Sequence, residues 1–233
     1  MAVLFSNLTL GSSNVDGGTF TTASVTPTSN ALQLLTVHTI TRITSNPVIP
    51  TVTGNGLTWG TVNSGINDPG GSSRRRTTLF KALGASPSAG SITLSFGTQT
   101  QTSISWCLDE ATSVNTITPT VQNVQNTVIG ATSLIGTLAA FASADNATYG
   151  AFGISYGGAT NTEGSGFTKL GSVVDLDGDV FIVTEYRADN DTTVNMTFGT
   201  AIEDATMTGV EINFSAPLGT STFLSRLNLL GVG

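Results

Sequence analysis

Chemistry in this chain would have to be built from very few parts. His38 is the only histidine and Cys107 the only cysteine in 233 residues. A Ser-His-Asp or Cys-His centre would rest entirely on that one imidazole, and no nucleophile-elbow motif accompanies it. His38 lies in the apolar run Ala31 to Ile40, where a histidine is ordinarily structural, and no second histidine can share a metal with it. Cys107 sits in an apolar strand, the setting of an inert buried thiol; being alone, it excludes an intramolecular disulfide. Carboxylate pairs for glycoside hydrolysis meet only in three dimensions. Asp109 and Glu110 are strand neighbours whose side chains diverge, and Glu163, Glu185, Glu203 and Glu211 are scattered.

Asp175-Leu176-Asp177-Gly178-Asp179 places three carboxylates within five residues and raises the question of calcium. The order departs from D-x-[DN]-x-[DN]-G and the distal glutamate is missing. Asp-Gly between two apolar β runs reads first as a hairpin turn. The chain carries no P-loop, GxGxxG or zinc spacing. The expectation is a protein that is not an enzyme and uses no cofactor, with calcium at the three aspartates left open.

The elements that would position these residues are strands. The chain is organised around Ser103 to Glu110, in which Ile104, Trp106 and Leu108 alternate with Ser103, Ser105, Cys107 and Asp109. That period of two predicts a strand with one face in a core, and the Trp106 ring sets the spacing of what packs on it. Ile92, Leu94 and Phe96 alternate in the same way just upstream, and the polar link Gly97 to Gln101 reads as a hairpin or adjacent-strand connection. Ala31 to Ile40 is apolar enough to be central in a sheet. Roughly a dozen strands follow at about ten-residue intervals, separated by Gly- and Asn-rich turns. The alanine-rich stretch 139–144 reads as strand end and loop rather than helix. The fold class expected is all-β, an antiparallel β-sandwich, jelly-roll-like, over residues 1–218, with a short C-terminal arm at 219–233. No internal repeat and no linker divide it.

Composition narrows the setting. Charged residues make up 10% of the chain, hydrophobic residues 39%, and the net charge is -7. The charged share is well below the ~25% of an average globular protein. The surface must therefore be built from Thr, Ser, Asn, Gln and Gly. The acidic balance argues against nucleic acid as a partner, because phosphates need basic surface. No apolar stretch is long enough to span a membrane, and Met1 to Phe5 has no basic region of the signal-peptide kind. Such a chain is expected to fold in a cytoplasm and serve on an exposed surface.

Arg74-Arg75-Arg76 concentrates three of the eight basic residues next to a flexible loop, Asn63 to Ser73. One reading has Arg75 facing outward at a strand start, with its neighbours bordering the loop. The sharper reading is a docking point for an acidic surface. The tail from Thr220 to Gly233 carries Phe223, Leu224, Leu227 and Leu230 on one side of one or two helical turns capped by Thr222. An apolar tail on a polar protein has two destinations, its own sheet or a neighbouring subunit.

Val52-Thr53-Gly54-Asn55-Gly56-Leu57-Thr58-Trp59, Arg76 to Leu83 followed by Gly84-Ala85-Ser86-Pro87, and Gln99-Thr100-Gln101 with Ser105-Trp106 and Asp109-Glu110 form an ordered set. This set resembles a module of phage and environmental bacterial sequences with a TGNGLTW strand, an R-x-x-L-F-x-A strand and a W-x-x-D-E strand. The likeness covers about Ala31 to Gly153, with Cys107-Leu108 in place of a small polar residue and valine. The resemblance implies a jelly-roll domain of virion structural or surface-adhesive proteins and brings no catalytic residues. It leads to the expectation of a bacteriophage capsid decoration (cement) protein on the virion surface, with the major capsid protein as partner. Arg74, Arg75, Arg76, Phe223, Leu224, Leu227 and Leu230 are the expected contacts, and the protein is expected to be a homo-oligomer, dimer or trimer. The alternative is a glycan-binding tail, fibre or adhesion module that stacks sugars on Trp59, Tyr149 and Tyr156.

Overall fold

The computed structural model describes residues 2–68, 73–155 and 160–215. The arm, with Phe223, Leu224, Leu227 and Leu230, and Tyr156 lie outside the described residues. The described chain is all-β. Its first half contains β1 (Leu4–Ser13), β2 (Thr19–Thr21), β3 (Leu32–Thr41), β4 (Thr51–Gly54), β5 (Gly60–Asn67), β6 (Arg74–Leu83), β7 (Ile92–Ser95) and β8 (Ser103–Thr112). The second contains β9 (Thr120–Ile129), β10 (Ser133–Thr137), β11 (Ala147–Ile154), β12 (Asn161–Glu163), β13 (Thr168–Val174), β14 (Phe181–Arg187), β15 (Thr193–Phe198) and β16 (Asp204–Ile212). Residues 139–146 are loop, as expected. The last strand is one unbroken element, where the sequence suggested two.

The strands form four antiparallel sheets: β1-β8-β3-β6-β5, β2-β7-β4, β9-β16-β11-β14-β13 and β10-β15-β12. Adding eight to every label of the first pair of sheets gives the second pair. The chain therefore runs twice through one topology, and the expectation of no internal repeat is corrected at this level. Each half is a five-stranded sheet covered on one face by a three-stranded sheet. The halves stack through their five-stranded sheets, giving four layers.

Three apolar clusters fill the gaps. Phe20, Leu35, Val37, Phe80, Ile92, Leu94, Trp106 and Leu108 pack between the two sheets of the first half. Phe152, Phe181, Val183, Val194, Met196 and Met207 do the same in the second half. Leu32, Leu34, Leu79, Tyr149, Ala151, Val210 and Ile212 join the halves at one end. β7 and β8 are thus not a hairpin: their apolar faces meet across a layer gap. The Asp-Gly hairpin between β13 and β14 is as expected, with Gly178 at φ 75°. β3 is central, also as expected.

Candidate functional site

The face of β8 opposite Trp106 was expected to be the polar side of a half-buried strand. Instead Ser103, Ser105, Cys107 and Asp109 are all buried. They face the second half, and with Thr36, His38, Arg75 and Thr77 they form a polar seam against Gly153, Thr184, Asp204 and Thr206. Nearly every group that could do chemistry is enclosed in it.

At one end of the seam, Asp109 accepts hydrogen bonds from Asn7 Nδ2 (2.9 Å) and from the Tyr149 hydroxyl (2.8 Å). Asn7 also donates to Cys107 Sγ at 3.1 Å, and Thr184 Oγ1 lies 3.4 Å from that sulfur. Burial, then the Asp109 charge, pushes the Cys107 thiol well up. Burial also raises the Asp109 carboxyl. A thiol held protonated and sealed between sheets is neither nucleophile nor metal ligand. At mid-seam, His38 Nδ1 pairs with Thr77 Oγ1 at 2.9 Å. Burial, with the Arg75 charge, lowers the imidazole to about 3, so His38 is neutral at physiological pH and has no route to solvent.

Arg75 corrects both sequence readings of the arginine cluster. Its side chain is 4% exposed, pointing neither outward nor at a partner. It donates to Asp204 (2.8 Å) and Glu203 (2.9 Å), both of the second half, and to the Asp179 carbonyl (3.3 Å). Asn67 Nδ2 supplies Asp204 with a further bond at 2.7 Å. Arg74 pairs with Asp68 at 3.0 Å and donates to Asn46, and Arg76 donates to the Pro47 carbonyl and to Ser64 Oγ. The run of arginines clamps a strand start, a neighbouring loop and the other half of the molecule.

The seam has approximate twofold character. Leu32 faces Ala111 on β8 as Ala147 faces Ile212 on β16, which makes His38 the counterpart of Gly153. These two counterparts touch: a Cβ on Gly153 would lie 2.5 Å from His38 Nδ1. Ser103 and Asp204, which open the matching last strands, make matching contacts. Ser103 donates to Asp175 at 2.6 Å, and Asp204 accepts from Asn67. A residue that meets its own counterpart marks the axis of an isologous contact.

Asp175, Asp177 and Asp179 do come together, with one carboxylate oxygen of each within 4.8 Å of the others. Their oxygens already have donors. Asp175 accepts from Ser103 and the Val180 amide, Asp177 from Asn14, and Asp179 is ion-paired with Arg42. The cluster is a hairpin turn whose charge is met by protein groups.

Among the expected sugar platforms, Tyr149 is fully buried. Trp59 is half-buried, its indole N–H on the Gly54 carbonyl at 3.4 Å, and packs on the first-half cluster. It borders an open groove of about 360 Å³ with Lys81, Leu83, Ile117 and Pro119. A second groove of about 430 Å³, lined by Thr28 to Ala31, Thr112 to Val114, Phe214 and Ser215, meets the first at Thr116. Sequence reasoning missed both grooves, because they form only where the loops at 28–31, 58–60 and 113–119 converge.

One sequence signal for the repeat was available. Gly54-Asn55-Gly56-Leu57 and Gly164-Ser165-Gly166-Phe167 form the same turn, with the last amide bonded to the first carbonyl (3.2 and 2.9 Å) and the third residue at positive φ (64° and 82°). Glu110 and Glu211 are a second pair, alike in place on the last strand of each half and in accepting side-chain amides.

Comparison with known proteins returned no match: no protein family, no curated protein and no solved structure corresponds to this chain.

Proposed function

We propose that this chain is a non-enzymatic structural protein of a virion, a capsid decoration protein that braces the major capsid lattice. The observation that carries the reading is where the reactive side chains sit. The lone histidine, the lone cysteine and Asp109 are buried in the seam between the halves, where they serve packing and pairing. What is left outside is a low-charge surface of hydroxyls and amides on a rigid β body. Such a body acts by adding contact area, and many weak repeated contacts on a lattice sum by multivalency. The strand order 1-8-3-6 opposed by 2-7-4 in each half supports the jelly-roll reading that the sequence resemblance implies.

Since the arginines are engaged internally, the apolar segment from Thr220 onward is the expected contact with the capsid. The test is co-sedimentation of the purified protein with undecorated capsids of its own virus, beside the protein alone. Co-sedimentation at fixed stoichiometry, lost on truncation after Gly219 while the β body stays folded, is the expected result. Failure of the intact protein to sediment with capsids overturns the reading. The glycan alternative now rests on Trp59 alone among the described residues, and no specific observation favours it.

A further inference from the structure

The two grooves lie at the end of the body where the chain leaves its last described residues. Phe214 bridges Val114, the Ser215 amide donates to the Ser113 carbonyl at 2.9 Å, and the Asn213 amide donates to the Pro119 carbonyl at 2.9 Å. The chain past β16 is thus already pairing with the 113–119 loop, which lines both grooves. Phe214 and Ser215 are themselves part of the second groove's wall. The next residues enter that groove simply by continuing. Beside it, Ile117 is 89% exposed, a large aliphatic side chain at the rim of an apolar recess that includes Trp59, Leu83 and Pro119.

We infer that in the free protein the groove pair is the seat of the chain's own segment 216–233, which lies as a strap over Ile117 and Trp59. Three observations support this occupant. The segment offers Leu218, Phe223, Leu224, Leu227 and Leu230, apolar groups suited to an apolar recess. Its eighteen residues could extend ~60 Å, far more than the distance along two adjoining grooves. A tethered segment also meets its own groove at an effective concentration in the millimolar range, which favours its own chain over a second copy. The inference does not rest on the virion reading. The same segment can be stored here before it reaches any neighbour.

The test places a photo-crosslinking amino acid at Ile117, an exposed position, in an equal mixture of isotopically light and heavy full-length protein. Crosslinked peptides are then mapped by mass spectrometry. The expected result is crosslinks from position 117 to residues within 216–233, light to light and heavy to heavy only. Mixed light–heavy crosslinks would assign the groove to a second copy and overturn the inference, as would crosslinks confined to the β body. In parallel, truncation after Ser215 is expected to red-shift tryptophan emission and increase its quenching by acrylamide. Trp59→Phe should abolish that change, since Trp106 is buried in the first-half core. An unchanged emission in a truncated protein with native circular dichroism counts against the strap.

Discussion

Glu185 shows how burial sets charge at the scale of one residue. It lies between the five- and three-stranded sheets of the second half, fully buried. Burial pushes its carboxyl up to about 8, with the nearby Glu163 charge adding to the shift. The folded protein therefore holds a proton that the unfolded chain releases above its ordinary value of 4.5. Between pH 4.5 and 8 the folded state binds more protons, so this group makes stability fall as pH rises through that window. Glu185→Gln keeps the shape and removes the titration. Denaturant midpoints measured from pH 5 to 8 should decline less steeply in the variant, with the largest gain near pH 8. His38 acts in the opposite direction. Its lowered value means that the unfolded state takes up a proton first, so its contribution is lost as pH falls from 6.5 toward 3.

Also at this scale, Arg75 and Arg74 are neighbours with different energetics. Removing Arg75 leaves Asp204 buried without its cation, a change that costs about 3–5 kcal/mol. The Arg74–Asp68 pair is partly exposed, and its loss should cost under ~1 kcal/mol. Urea unfolding of Arg75→Ala and Arg74→Ala distinguishes the two cases. Equal effects would contradict the clamp.

The strands owe their burial to contacts on both faces. β3 and β8 carry apolar residues outward to the three-stranded sheet and polar residues inward to the seam, and water reaches neither face. Close approach of β11 to β3 and β6 depends on Gly153, whose missing side chain leaves room for His38 and Thr77. Gly153→Ala should cost about 1–3 kcal/mol, the usual penalty for overpacking. The cost should shrink in a His38→Ala background, and the double-mutant cycle in thermal unfolding reads that coupling.

For the whole molecule, the near-twofold stack makes a prediction about its parts. The halves share one topology, but their seam residues have diverged into complementary roles. A homodimer of the first half would set His38 against His38, without the space that Gly153 provides. It would also set Arg75 against Ser103, without the Asp204 carboxylate. Residues 2–118 and 116–215 expressed separately are therefore expected not to pair with themselves, and to form a one-to-one complex when mixed. Size-exclusion chromatography and circular dichroism check this. A stable homodimer of the first half would show that the complementarity is not what holds the halves together.

The sequence by itself determined that this is an all-β, antiparallel chain, that Ala31 to Ile40 is central, and that Asp177-Gly178 turns a hairpin. These follow from alternation and turn chemistry, which are local and written in neighbouring residues. Tertiary structure alone decided what covers the polar face of each strand. Ser103, Ser105, Cys107 and Asp109 alternate as they would against water, yet they lie against a second polar sheet, because period two separates the faces and says nothing of what each one meets. For the same reason Arg75 reads as surface and is buried: its partners Glu203 and Asp204 lie more than a hundred residues away. The repeated topology was nearly illegible, since the halves keep common strand order and common turn geometry while few side chains match. Only folding places His38 against Gly153 and shows that they are counterparts.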